Sequence, residues 1–177
     1  FVNYNNPNLG LIAKEIFQKL EIEHKFFYDV CCGMPQLEGG DINSVLEKAK
    51  ETSTKLREYI DQGYKVISIV PSCSLMIKYE WPLLSPDSED IKYLSDNTYD
   101  ICEYLVKFIN DNSLANKIKP IDENETVSLH ISCHSRAQNI GQKATELLKM
   151  IPDIKLDVIE RCSGHGGSWG VKKENFK

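Results

Sequence analysis

The sequence contains no apolar run long enough to cross a membrane, and no signal peptide is visible in it. It also lacks a cluster of basic residues, and its net charge of -5 argues against nucleic acid as a partner. The hydrophobic fraction of 41% and the charged fraction of 27% are ordinary for a globular protein of 177 residues. We therefore expect a cytoplasmic protein that reaches the inner face of the cell membrane only through a partner.

The adjacent pair Cys31 and Cys32, followed by Gly33, is the most informative feature of the sequence. Neighbouring cysteines rarely bridge each other, because their alpha carbons are too close for relaxed disulfide geometry. The Lys- and Glu-rich surroundings are typical of a reduced cytosolic protein, in which grouped cysteines indicate metal or redox chemistry. Two thiols on one glycine-containing turn therefore predict ligation of a metal ion or an iron–sulfur cluster.

A second loop, RCSGHGG, repeats part of this pattern. An offset of 131 positions aligns Cys31 with Cys162 and Gly33 with Gly164, together with the apolar positions of the helical segments before them. A single offset that preserves turn residues, a helix face and a cysteine predicts an internal duplication. Two unrelated amphipathic helices that happen to align are the alternative.

Each copy lacks one cysteine on this alignment. Cys133 falls on position 2 of the first copy, and the counterpart of Cys73 falls beyond Lys177. We therefore expect the chain to be part of a longer protein, with one further cysteine just before Phe1 and another after Lys177.

The predicted helices and strands alternate along the chain. Helices are predicted over 7–20, 41–63, 88–112 and 136–151, and strands over 24–30, 64–70, 127–132 and 154–160. Alternation across short loops predicts an α/β protein with parallel sheets. We interpret it as two related Rossmann-like halves, with a first domain over 1–112, a linker over 113–125 and a second domain over 126–177.

Five cysteines follow predicted strands, at the carboxyl ends where parallel sheets collect their ligands. They are Cys31, Cys32, Cys73, Cys133 and Cys162. The first three are predicted to ligate one iron–sulfur cluster or one zinc ion, and the last two belong to a second site. The sixth cysteine, Cys102, is predicted to pack in the core.

The second site differs in its neighbours. His130 and His134 flank Cys133, and His165 lies in the loop after Cys162. A mixed thiolate–imidazole site is therefore one alternative there, and a thiolate made reactive by an adjacent imidazole is another. Ser163 occupies the position of the second cysteine of the pair, which removes one ligand.

The loops CCGMPQLEGGD, PSCSLMIKYEWPLL and CSGHGGSWGVKKENF resemble the cysteine-rich (CCG) domain family. This family occurs in tandem in the B subunit of heterodisulfide reductase, the iron–sulfur subunit of glycolate oxidase and the C subunit of anaerobic glycerol-3-phosphate dehydrogenase. The last type is the most similar, through VPSCSLM and the tail GVKKEN. The resemblance covers nearly the whole chain, as most of a tandem pair.

The resemblance implies that each domain binds an iron–sulfur cluster of the 4Fe–4S type, cubane or noncubane, or zinc as in some members. Cys31, Cys32 and Cys73 match the ligand positions of the first domain, and Cys133 and Cys162 match the second. Met76 and Ser163 depart from the full pattern. Relatives pass electrons between a flavin-bearing dehydrogenase subunit and a quinone or disulfide acceptor.

We therefore predict an iron–sulfur electron-transfer protein or subunit, an oxidoreductase component with a redox protein as its partner. A zinc-binding structural module of a redox complex is the first alternative, and it is distinguished by a metal without redox activity. A thiol enzyme in which Cys133, beside His134, attacks a disulfide or peroxide is the second.

Overall fold

The structure is a computed structural model that describes residues 1–29, 31–121, 125–164, 166–170 and 172–175. The chain divides into two compact units, Phe1–Cys31 and Cys32–Lys177. The helices are α1 (Pro7–Lys19), α2 (Met34–Glu38), α3 (Ile42–Asp61), α4 (Pro71–Leu75), α5 (Trp81–Leu84), α6 (Glu89–Asp96), α7 (Ile101–Asp111), α8 (Cys133–Ala137), α9 (Lys143–Leu148) and α10 (Gly167–Gly170). The strands are β1 (Val66–Ser68), β2 (Thr98–Asp100), β3 (Thr126–His130) and β4 (Lys155–Ile159). A π-helical turn covers Met76–Glu80, and 3-10 turns cover Ala115–Lys117 and Lys173–Asn175.

The first unit is built on α1, which confirms the helix predicted at this position. Pro7 opens the helix, where a missing N–H is tolerated, and Ala13 and Phe17 form its buried face. The strand predicted over 24–30 is wrong for the described part, because residues 22–28 have no regular secondary structure. An extended segment becomes a strand by pairing with another strand, and α1 is the regular element described in this unit. Val30 lies outside the described residues.

The core of the second unit forms around α3. Asp41 caps this helix by accepting the Ser44 N–H at 3.2 Å, and the left-handed Gly63 follows its end, as the sequence predicts. The buried side chains that pack here are Val45, Ala49, Leu56, Ile60, Met76, Ile77, Trp81, Ile91 and Leu94. They belong to α3, the π-helical turn, α5 and α6, so the helix that follows Cys73 is part of the main core.

Two small parallel sheets complete the unit. β1 pairs with β2, and β3 pairs with β4 over five residues from Thr126↔Lys155 to His130↔Ile159. The prediction of a mixed α/β protein with parallel strand pairing is confirmed at this level. The two Rossmann-like halves and the boundaries 1–112, 113–125 and 126–177 stay predictions.

Two long predicted helices are each interrupted in the structure. The segment 88–112 forms α6, β2 and α7, because Asp100 caps a new helix through a capping box with Glu103. The segment 136–151 forms the end of α8 and then α9, because Asn139 and Gly141 adopt positive φ angles of 52° and 79° between them. Both breaks come from local capping and turn residues inside an otherwise apolar periodicity.

A continuous helical run over residues 71–84 joins α4, the π-helical turn and α5. Pro82 has no N–H, so it cannot donate to the carbonyl of Lys78 one helical turn earlier. That carbonyl instead accepts a hydrogen bond from the Ser95 hydroxyl at 2.7 Å. Two features thus explain the widened turn: Pro82 cannot make the regular helical hydrogen bond, and the Ser95 side chain supplies a donor in its place.

Candidate cysteine sites

Gly33 determines the turn that carries the cysteine pair. It is buried, with a φ of 86°, and it stands just before the first residue of α2. A Cβ added there would lie 3.4 Å from the Val45 side chain, which is an ordinary contact, so it is the backbone conformation that favours glycine. Cys31 ends the first unit and is exposed, whereas Cys32 begins the second unit and is half-buried.

Trp81 attaches this turn to the core. Its side chain is 1% exposed, and its indole N–H donates to the carbonyl of Cys32 at 3.1 Å. Cys73 lies half-buried in α4, in the same helical run over 71–84. The same helical run therefore contains Cys73 near its start and, near its end, the Trp81 side chain that bonds to Cys32.

Cys133 and Cys162 follow the two paired strands β3 and β4. His130 and Ile159 are register partners, and each cysteine comes three residues after one of them. The pairing continues beyond the strands, because Ile131 N–H donates to the Ile159 carbonyl at 3.0 Å. Both thiols are exposed at the carboxyl edge of this sheet.

The loop after Cys162 directs a backbone amide toward the sulfur. The N–H of Gly164, a residue with a φ of 73°, donates to Cys162 Sγ at 3.3 Å. Amides that donate to sulfur stabilise the thiolate form and tune it as a ligand. His165, the imidazole predicted beside this cysteine, lies outside the described residues.

In the second unit, the short helices that contain or follow the cysteines pack on each other in pairs. α4, with Cys73, packs on α8, which begins at Cys133. The hydroxyl of Ser72 lies 2.7 Å from Nδ1 of His134, so neighbours of the two cysteines are directly bonded. α2 packs on α10, where a Cβ on Gly167 would come within 2.8 Å of the Glu38 carboxylate.

A shallow cavity of about 360 Å³ opens beside α8 and is lined by Cys133, Arg136 and Ala137. Nδ1 of His134, the imidazole predicted to activate Cys133, is engaged with the Ser72 hydroxyl instead. His130 is likewise occupied, with Nε2 lying 2.6 Å from the Arg161 carbonyl. These contacts favour structural roles for both imidazoles.

Cys102 differs from the other cysteines. It is half-buried in the first turn of α7, with its backbone N–H bonded to the Asp100 carboxylate at 2.9 Å. Burial, followed by the negative charge of Asp100, raises the pKa of the Cys102 thiol from 9.0 to about 11. This thiol stays protonated at neutral pH, as expected of a core residue.

The donors present have the chemistry of a thiolate-ligated metal centre. All six cysteines are thiols. Within the described residues, however, no three His, Cys, Asp or Glu side chains are grouped closely enough to hold one metal ion. The ligand types therefore fit an iron–sulfur cluster or zinc, and the described side chains do not by themselves complete the site.

The described helices also differ from membrane-spanning helices. None of them is long and apolar enough to cross a bilayer.

Two residues that organise these sites are not evident from the sequence. The sequence pattern allows Trp81 either to shield a cluster or to pack, and it does not predict the hydrogen bond to Cys32. Gln138 has no signal that singles it out, although it is fully buried between α4 and α8. A glutamine five residues after Cys133 has no distinctive spacing.

Comparison with known proteins matches the first part of the chain to a domain family. Residues 1–78 match the family model of the cysteine-rich domain, CCG. This segment includes Cys31, Cys32 and Cys73. The resemblance that the sequence indicates is thereby confirmed for residues 1–78.

Curated relatives match almost the whole chain. The C subunit of anaerobic glycerol-3-phosphate dehydrogenase from Escherichia coli K12 is 27% identical over 99% of this chain and 44% of its own length. Lactate utilization protein A 2 from Bacillus cereus AH820 is 28% identical over 96% of this chain and 70% of its own length. The chain thus spans less than half the length of the glycerol-3-phosphate dehydrogenase subunit. No solved structure matches the chain.

Proposed function

We propose that this chain is part of an iron–sulfur electron-transfer subunit of a dehydrogenase system. The match of residues 1–78 to the cysteine-rich domain carries the proposal, because this segment contains the adjacent cysteines and Cys73. Similarity to a dehydrogenase subunit and to lactate utilization proteins supports a place in a redox system. Exposed or half-buried thiols on turns are consistent with ligands rather than with structural core residues.

In this proposal Cys31, Cys32 and Cys73 are thiolate ligands of one centre, and Cys133 and Cys162 belong to a second. A bound 4Fe–4S cluster, cubane or noncubane, would supply one-electron transfer. The protein contributes the turn at Gly33, the Trp81 hydrogen bond that holds this turn, and the amide that donates to Cys162.

We also propose the tandem organisation, with related domains over 1–112 and 126–177. The contact between α2 and α10 supports it, because the 131-residue offset makes the loops before these helices equivalent. Contacts between equivalent elements are expected about a pseudo-twofold axis. The copies have diverged, since β4 has no strand as its counterpart among residues 24–28.

The electron donor in this proposal is a flavin-bearing dehydrogenase subunit or another redox protein, and the acceptor is a quinone or a disulfide. The protein would work in the cytoplasm, or on the inner face of the cell membrane through that partner. The similarity to one subunit of a named dehydrogenase supports association with a partner.

Metal analysis under exclusion of oxygen tests the function. We expect iron with labile sulfide and an electron paramagnetic resonance (EPR) signal that changes on reduction. Cys32→Ser should lower the iron content and remove one signal. Cys102→Ser is the matched control and should leave both unchanged, because that thiol is half-buried outside the cysteine loops.

The alternatives give different results in the same experiment. Zinc without labile sulfide or a redox-active signal would establish the structural zinc module and overturn electron transfer. Loss of a disulfide or peroxide activity in Cys133→Ser, with metal content intact, would instead establish the thiol enzyme.

A further inference from the structure

Gln138 is a completely buried polar residue between the two cysteine-bearing helices α4 and α8. Its side-chain amide nitrogen lies 3.0 Å from Ser74 Oγ, 3.2 Å from the His134 carbonyl and 3.4 Å from the Pro71 carbonyl. Two of these acceptors belong to α4 and one belongs to α8. The amide therefore joins the helix that contains Cys73 to the helix that begins at Cys133.

The orientation of this amide follows from its surroundings. Rotating it by 180° would place its oxygen against the carbonyls of His134 and Pro71, which are both acceptors. In the observed orientation the amide oxygen, Gln138 Oε1, is buried without a hydrogen-bond partner. A buried polar atom without a partner is unfavourable, so the amide is stable here only because its nitrogen bonds across the interface.

The contacts around Gln138 form a connected network. Ser74 Oγ, which accepts from the amide, lies 3.0 Å from the buried Asp100 carboxylate at the start of α7. The Tyr79 hydroxyl donates to the backbone carbonyl of Gln138 at 2.7 Å. Together with the bond between Ser72 and His134, the contacts of Gln138 and its neighbours attach the end of α8 to four residues of the helical run over 71–84. Linked hydrogen bonds of low exposure reinforce one another.

We propose that Gln138 is a positioning residue that sets the placement of Cys133 relative to Cys73 and so couples the two metal centres. The coupling of the metal centres rests on the proposed function. The placement of the two thiols rests only on the interface between α4 and α8. Gln138 acts through the two helices and touches neither sulfur in the described contacts.

The first test uses the reduced, metal-free protein. In Gln138→Leu, which keeps the volume and removes the amide, α8 should separate from α4 more often. Alkylation of half-buried Cys73 should then accelerate about fivefold, the factor that corresponds to one net hydrogen bond. Peptide mapping of iodoacetamide-treated protein at several times gives the rate for each cysteine.

Two control variants separate positioning from general destabilisation. Thr52→Val removes a different buried polar atom without a hydrogen-bond partner, the Thr52 hydroxyl, which lies on α3. Ile60→Val removes one methylene from the core face of the same helix and lowers stability without changing α8. Both should alkylate Cys73 at the wild-type rate. Tyr79→Phe is a milder variant for use if Gln138→Leu does not fold, and it should change the rate in the same direction.

The second test uses protein loaded with iron and sulfide without oxygen. Gln138→Leu should shift the midpoint potential or the EPR signal, whereas the two control variants should match the wild type. A structural role alone would lower stability in all destabilised variants and would leave these two properties unchanged. Wild-type alkylation and wild-type spectra in both Gln138→Leu and Tyr79→Phe would overturn the inference.

The two tests fail independently. If no iron–sulfur centre assembles in the wild type, the proposed function is wrong, and the alkylation rates still decide whether Gln138 places the thiols. If the centres assemble and Gln138→Leu and Tyr79→Phe match the wild type in both alkylation rate and spectra, the proposed function stands and the positioning role is rejected.

Discussion

The cysteine turn depends on one aromatic side chain. Trp81 is buried in the main core and donates to the Cys32 carbonyl, so Trp81→Phe removes a donor and opens space beside the turn. We expect the free energy of unfolding to fall by about 1–3 kcal/mol and Cys32 to be alkylated faster in the metal-free protein. Urea unfolding and peptide mapping measure the two effects. Tyr93→Phe, which loses an exposed bond to Asp61, is the control, and equal effects in both variants would contradict this role of Trp81.

Cys102 makes stability depend on alkaline pH. Its pKa is raised from 9.0 to about 11 by burial and by Asp100, so between these values the unfolded chain loses the proton while the folded chain keeps it. The unfolded state then binds fewer protons, and the free energy of unfolding decreases as the pH rises from about 9 to about 11. At full titration the decrease is about 3 kcal/mol, since each unit of pKa difference corresponds to about 1.4 kcal/mol.

Urea unfolding of the metal-free protein at several pH values between 8 and 11 measures this dependence. Cys102→Ala should make the decline less steep, because it removes one of the groups whose pKa is raised in the folded protein, Tyr104 being another. Cys133→Ala changes an exposed thiol and should retain the decline. A wild-type slope in Cys102→Ala would show that another group titrates in this range.

At the scale of elements, the π-helical turn is stabilised by a single side chain outside it. Ser95 donates to the Lys78 carbonyl, to which Pro82, four residues later, cannot donate. Ser95→Ala should therefore lower the free energy of unfolding by about 1 kcal/mol, as measured by urea denaturation. Ser85→Ala, a change at the end of α5 where the side chain makes no described hydrogen bond, should have little effect.

A second substitution tests the cause of that effect. Pro82→Ala restores a backbone N–H that can donate to the Lys78 carbonyl in a regular helix. In the Pro82→Ala background, Ser95→Ala should cost clearly less than in the wild type. Equal costs in both backgrounds would contradict the link between the proline and the π-helical turn.

The elements with strong local signals were predictable, and those decided by context were not. α1, α3 and β4 follow from apolar periodicity and from capping or turn residues at their ends. β2 lies inside a segment that the sequence predicts as helix. A strand of three residues has no periodicity of its own and forms because it pairs with β1. The CCG turn was evident from residue types alone. The bond from Trp81 to this turn was not, since it joins positions 49 residues apart.

At the scale of the molecule, the part after residue 125 depends on the part before it. Among the described residues, Ile131 is the one hydrophobic side chain beyond position 125 that is classed as buried. The segment instead packs against the earlier part of the chain, with α8 on α4, α9 on α7 and α10 on α2. Two strands and short helices with so little core of their own are below the size that folds independently.

We therefore expect residues 126–177 to remain unfolded when produced alone. Far-ultraviolet circular dichroism should show little helix and no cooperative thermal transition. Residues 1–125 should keep a cooperative transition, because α3, α6 and Trp81 form a core without the later segment. Mixing the two pieces should restore helix signal, and Gln138→Leu in the shorter piece should weaken that association, since its amide bonds directly to α4. A cooperative transition in isolated 126–177 would show that the second half carries enough stabilising contacts by itself, and the interface around Gln138 would then be a junction between two independent domains.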